Sequence, residues 1–474
     1  MASQHVKLSL ARKRLIVLLA SIAAFFAPFS ANSYFPAMGN IEKDLSVTSQ
    51  QVNLSVTVFM IFQAISPSFW SSLADSHGRR PIYLYTLFIY ILACIGVALC
   101  QSYWWLLTLR MLQAFGASSV IAIGAGTISD ITSPAERGGY FGWFSLGWNL
   151  GPLVGPAIGG FLSEFMGWRW IFWISAAACT VHWIILGLIL PETLRTLVGN
   201  DGSGYANPTP SQWWDRRKQQ FDGKHDDEEN EKKPEQKISF KTILAMPFQS
   251  LIYAKEKDIL ALLIIYSTQY AACYAITTSL PYLFTRLYRL TESQVGASYL
   301  ANGLGCIVGA MFQGKMLNRN YQKMQQQIGP VVDELSDELP IEHARLRMSW
   351  LHAVISNLII ACYGWCLYLK AHLAIVLGLH FVLGFTSQVI FNAVQTLLVD
   401  LFPDRSASVT ATNNVFRCLF GALATTLVLP TIQLIGVGWT FTLISAILLV
   451  SRIALYLEVK RGALWRRERI ERAL

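Results

Sequence analysis

The sequence predicts an all-α polytopic membrane protein that crosses the bilayer twelve times, its helices gathered into two bundles of six. Charged residues make up 14% of the 474 and hydrophobic ones 53%, whereas a soluble domain carries roughly a quarter charged residues. Twelve stretches of about 20 apolar residues run along the chain, and at about 1.5 Å per residue each can cross a hydrocarbon core. Lipid offers no partner for backbone N–H and C=O groups, so each stretch must be a helix. A long polar segment divides the twelve six and six.

The first span covers 15–35. Arg12, Lys13 and Arg14 precede it, and the run is too long for a signal-peptide core, so it reads as an uncleaved anchor. Spans two and three, 53–73 and 82–101, are joined by the charged turn "SLADSHGRRPIY" (72–83). Spans four to six follow at 104–128, 140–162 and 168–190. The segment 191–257 contains "DRRKQQFDGKHDDEENEKKPEQK", which cannot bury enough apolar surface to fold and reads as a solvated linker. Its last part, "ISFKTILAMPFQSLIYA", is amphipathic enough to lie on a membrane surface. Spans seven and eight cover 259–284 and 294–316; after a polar insert, 349–369, 372–398, 407–430 and 434–457 complete the second six.

The domain plan is therefore an N-terminal segment 1–14, a bundle 15–190, the linker 191–257, a bundle 258–457 carrying the insert 318–348, and a basic tail 458–474. Lys and Arg sort by loop. With the N-terminus in the cytosol, the outside loops hold only Lys43, Arg169, Arg286, Arg289 and Lys370, so the positive-inside rule puts both termini in the cytosol. The net charge of +9 reflects this sorting and does not argue for a nucleic-acid partner; part of the tail is placed to rest on anionic lipid. All eight cysteines fall inside spans and read as small packing residues, Cys362 and Cys366 included, although those two lie one turn apart. The Asn53 sequon abuts a span, too close to the membrane to be modified. No motif calls for a cofactor or a metal.

Within the charged turn, Gly78 permits the chain reversal. Asp75 is placed to pair with Arg79 or Arg80, and Asp130 at the end of span four is the partner from outside the turn. Such a pair latches the inner face shut. In the fifth span Gly147, Gly151, Gly155 and Gly159 recur every four residues, with Gly160 beside them, a smooth stripe that lets another helix approach closely. Pro152 and Pro156 each remove a backbone bond, and a bendable helix with a flat face suits a joint between moving bundles. Arg110, with Gln113 one turn on, and Arg417, with Asn413 and Asn414, are polar clusters deep in spans four and eleven. A buried Arg is costly in hydrocarbon and should face a cavity with a partner. By these boundaries no acidic residue lies inside a span. His380 is the deepest titratable group, ahead of His182 and His352, with Asp75, Asp130 and Asp400 at helix ends. Tyr270, Tyr274, Tyr282, Phe385 and Phe391 are candidates for an aromatic substrate cavity.

"LADSHGRRP" resembles the loop signature of the major facilitator superfamily, with Ser71 where that signature begins with Gly. "LRMLQAFGASS" (109–119) and "GWNLGPLVGPAIGG" (147–160) resemble its fourth-span motif and the fifth-span motif of its antiporter branch. "PIEHARLR" (340–347) and "LVDLFPDRSASVTATNNVFRC" (398–418) are similar to segments of the fungal 12-span drug:proton antiporters, specifically the quinidine-resistance subgroup. Asn318 stands where the second-half loop of that family has Asp, which implies a weaker latch there. The resemblance implies the major facilitator fold, a substrate site between the halves near the midplane, a role for Arg110 in proton coupling, and alternating access. It implies proton-coupled export of small amphipathic drugs or metabolites from a monomer in the plasma membrane, an internal membrane being the other setting. A symporter or facilitator on the same fold is the alternative. Nothing in the spans resembles the nucleophile elbow, metal cluster or His–carboxylate pair of a membrane enzyme.

Overall fold

The computed structural model describes residues 8–132, 134–199, 206–221, 250–328, 341–346, 349–402 and 406–473. Among them every regular element is a helix. The first half contributes α1 (Leu10–Ser33), α2 (Met38–Asp44), α3 (Ser49–His77), α4 (Arg79–Leu99), α5 (Tyr103–Ala117), α6 (Val120–Ile131), α7 (Pro134–Phe165) and α8 (Arg169–Ile189). Two short helices follow, α9 (Arg195–Val198) and α10 (Pro210–Phe221). The second half contributes α11 (Lys257–Tyr288), α12 (Glu292–Ile328), α13 (Ile341–Leu346), α14 (Ser349–Tyr368), α15 (Leu373–Leu401), α16 (Ser406–Ile435) and α17 (Val437–Ala473). Eleven described helical stretches are long and apolar enough to cross a membrane. α7 occupies the remaining position, its 32 residues diluted in apolar content by glycines.

Two compact units share these helices. The first is Met1–Asn32, Ile65–Gly155 and Arg169–Pro247. Its core joins Ala23, Ala24 and Ala27 of α1 to Tyr83, Leu87 and Tyr90 of α4, Ile123 of α6, Phe144 of α7 and Cys179 of α8. Small residues on α1 let the rings of α4 and α7 seat against it, which is how the interior reaches close packing. The second unit is Ser33–Ala64, Pro156–Trp168 and Phe248–Leu474. There α12 packs on α15, α11 on α16 and α14 on α17. The far ends of α1, α3 and α7, opposite the Gly78 turn, belong to this unit: Gln50 and Asn53 donate to the carbonyls of Thr426 and Thr425, at 2.8 and 3.4 Å.

Three sequence expectations change. The start of the linker is not solvated, since Glu192 and Thr193 are buried. The last helix does not stop at 457 but runs on to Ala473, so its next turns are helical and partly enclosed. Cys362 is exposed rather than packed inside. Residues 238–249 of the amphipathic part of the linker and residues 329–340 and 347–348 of the insert lie outside the described residues, as does the side chain of Asn318.

Candidate functional site

The charged turn is built around one glycine. α3 ends at His77 and α4 begins at Arg79, so a single residue reverses the chain. Gly78 does so at φ 106°, and a Cβ there would lie 2.2 Å from Oε2 of Glu192. The first amides of a helix have no acceptor within it and present partial positive charge. Here the backbone N–H groups of Arg79 and Arg80 donate to the Glu192 carboxylate at 2.8 and 3.3 Å. Thr193 N, Leu194 N and Asn207 Nδ2 donate to the same carboxylate at 2.9, 3.0 and 2.9 Å.

The two arginine side chains divide their work. Arg79 pairs with Asp75 at 2.7 Å and with Asp130 at 3.1 Å. Arg80 pairs with neither and donates instead to the carbonyls of Gly187, Asn207 and Pro208, at 2.6, 3.1 and 2.9 Å. The sequence left Arg79 and Arg80 equal and did not single out Glu192. The signal lay in "PETLR", an acid set directly after a span.

The Arg110 cluster lies inside the first unit. The guanidinium is fully buried, donating to Gln113 Oε1 at 2.6 Å and to the Ser30 carbonyl at 3.5 Å. Gln113 Nε2 reaches Cys94 Sγ at 3.2 Å, and the hydroxyls of Ser30 and Tyr90 share a short hydrogen bond. α5 can bring Arg110 this deep because Gly116 rests on α4: a Cβ there would lie 2.7 Å from Thr86 O and Tyr90 N. Arg does not give up its proton, so this cluster orients hydrogen bonds rather than carrying a proton itself.

The glycine stripe of α7 serves two neighbours. Cβ atoms at Gly147 and Gly151 would fall 2.0 Å from Ser21 O and 2.6 Å from Phe29 N of α1. Within the second unit, one at Gly159 would fall 2.1 Å from Ser33 O. Gly160 faces α12, where a Cβ would be 2.3 Å from Glu292 O, and Gly296 of α12 would in turn meet Pro156 O at 2.3 Å. Gly155 and Pro156 are buried, Pro152 is exposed, and α7 is continuous through all three. α7 thus touches α1 and α12 on bare backbone.

In the second unit, Arg417 donates to Asn414 Oδ1 through Nε at 3.1 Å and NH2 at 2.8 Å, and lies 5.3 Å from the Tyr270 ring centre. Tyr270 and Tyr274 are in ring contact at 4.6 Å. The sequence grouped Asn413 with Arg417; it bonds Gln395 instead, at 3.0 Å, because adjacent helix positions point about 100° apart. His380 is buried among Tyr363 and Phe284, and its Nε2 has no partner among the described residues. A further buried arginine escaped the sequence reading: Arg452 of α17, bonded to Gln269 Oε1. Gln269 Nε2 in turn donates to Ser356 and Ser387 at 2.9 and 3.0 Å. Arg345 of α13 pairs with Asp400 of α15 at 2.8 Å. Among the described residues no cluster of His, Cys, Asp or Glu could hold a metal ion.

Long apolar helices that keep arginines inside and meet on glycine define an integral membrane protein built for solutes. The chain belongs to the Major Facilitator Superfamily, whose model matches residues 20–425. It is 35% identical to Citrate exporter 1 of Aspergillus niger over 97% of this chain and 88% of that one. It is 30% identical to Quinidine resistance protein 1 of Saccharomyces cerevisiae over 95% and 83%. Among solved structures it superposes on the xylose transporter XylE from E. coli in a partially occluded inward open conformation, at a TM-score of 0.66. That match has 11% identity over 95% of this chain and 98% of that one, and it speaks to fold alone. The protein is a multi-pass membrane transporter.

Proposed function

We propose that this transporter exports small amphipathic compounds, drugs or metabolites, in exchange for protons. The single observation that carries the reading is the bare-backbone contact of α7 with α12 at Gly160 and Gly296. Helices that meet without interposed side chains can tilt on one another with few rotamers to re-sort, which suits alternating access. The names of the relatives, an exporter and a resistance protein, supply the direction. Arg79, held by Asp75 and Asp130, is the gate; Arg110 and Gln113 tune coupling, and His380 is a protonatable ring in the second half.

Arg417, Asn413, Asn414, Tyr270 and Tyr274 are proposed to meet the substrate. Among the described residues no carboxylate pairs with Arg417; its polar company is Asn414, Tyr266, Tyr270, Tyr274 and Cys418. A cation beside aromatic rings favours compounds that combine an apolar body with an acidic or hydrogen-bonding head. The same proposal puts both termini and the Gly78 turn in the cytosol, and a monomer in the plasma membrane.

Purified protein in liposomes with a trapped pH dye tests this. An outward-directed gradient is imposed for a panel of amphipathic drugs, weak acids and polyamines. Protons moving against the substrate establish antiport, with weak-acid flux falling at least tenfold in Arg417→Ala. Proton coupling is expected to fall in Arg110→Ala, and His380→Gln reports on its ring. Protons moving with the substrate, or substrate flux with no proton movement, overturn the antiport reading and leave a symporter or facilitator.

A further inference from the structure

Glu458 lies one residue past the last predicted span, yet its side chain is fully enclosed. Neither carboxyl oxygen has a hydrogen-bond partner among the described residues. Two further buried acids neighbour it, Asp258 at the start of α11 and Glu342 of α13. Each of those has an arginine of its own from α17: Asp258 pairs with Arg469 at 2.8 Å and Glu342 with Arg466 at 3.4 Å. Gly462, one turn on from Glu458, makes the room. A Cβ there would lie 2.9 Å from Glu458 Oε1 and 3.0 Å from Glu342 Cγ.

Among the described residues, other acids of these helices have partners of their own. Glu256 pairs with Arg472 at 2.9 Å, Lys257 with Glu468 at 3.7 Å, and Asp400 of α15 with Arg345. Asp258 and Glu342 are matched by Arg469 and Arg466, so an ionised Glu458 would add a negative charge to an enclosed site where, among the described residues, no donor meets it. Burying such a charge is far costlier than carrying the acid neutral.

From this geometry we infer that Glu458 is a proton-binding site, occupied in the conformation described, whose proton is given up when the Asp258–Arg469 and Glu342–Arg466 pairs part. Its role in transport rests on the antiport reading; its protonation does not. The site supplies what the spans lack, a carboxyl that can hold a proton against an apolar bundle.

The test uses the full chain in nanodiscs and in dye-loaded liposomes. Infrared spectra at neutral pH should show a protonated-acid carbonyl band in the wild type that Glu458→Gln lacks and Glu342→Gln keeps. In liposomes, Glu458→Gln should still move substrate while substrate-driven proton flux falls at least tenfold. A band absent from the wild type, or retained in Glu458→Gln, overturns the inference, as does an unchanged proton-to-substrate ratio. A wild type that moves no protons but loses the band in Glu458→Gln would support the proton site and sink the antiport reading. Glu458→Met is a second neutral replacement. If neither neutral variant folds while Glu458→Asp does, the side chain is carried as an anion and the inference fails.

Discussion

Two acids, Glu192 and Glu458, each follow the sixth span of their half, and the protein treats them oppositely. Glu192 gathers five donors, four backbone amides and the Asn207 amide. Glu458 gathers none among the described residues. Each half also carries an arginine–aspartate pair, Arg79 with Asp130 in the first and Arg345 with Asp400 in the second. The difference lies in what faces the acid. The Gly78 turn opens α4 with two outward amides, whereas in the second half α13 brings another carboxyl, Glu342. A carboxyl that meets amides has its oxygens filled by donors; one that meets carboxylates is, on the inference above, a place for a proton. Placement in sequence alone does not decide which.

The largest expected effect comes from closing the glycine turn. Gly78→Ala puts a methyl onto Glu192 and an L-residue at positive φ, and should destabilise by roughly 3 kcal/mol, read as thermal unfolding in detergent. Next is the direct contrast. Glu192→Gln should cost about 2 kcal/mol, since it weakens charge-assisted bonds to buried amides, while Glu458→Gln should stay within about 0.5 kcal/mol. Equal losses would erase the distinction between the two corners. Asp130→Asn should cost about 1.5 kcal/mol, because Arg79 keeps Asp75, and Asp400→Asn less, its pair being more open to solvent. Gly462→Ala should cost about 1 kcal/mol, more than Glu458→Gln, from crowding Glu458 and Glu342; a gain in stability would show that the space is not needed.

The twelve spans were legible because lipid imposes one rule on all of them, and the glycine stripe because it recurs every four residues. Asp75, Arg79 and Asp130 could be brought together because one short turn carries two of them. Glu192 could not, since its contacts with Arg79 and Arg80 bridge more than 110 positions and depend on how α8 ends. Glu458 was hidden by a boundary: apolar content ended the span at 457, but helix and burial continue past it. Arg452 sat inside a predicted span and near a basic tail, where one more arginine carries little signal. Asn413 and Asn414 look equivalent in sequence and diverge because a helix turns between them.

The seam between α7 and α12 carries a last consequence, for how this chain can change over time. Most packed positions offer a range of sizes, so drift at one is answered by compensation at another. At Gly160 and Gly296 every replacement adds volume and none removes it, with backbone carbonyls in the way. Drift there runs in one direction, toward a wider gap, and no second substitution restores the fit. The rings and amides near Arg417 have no such bound, so on the proposed reading the substrate contacts can be revised while the seam is kept.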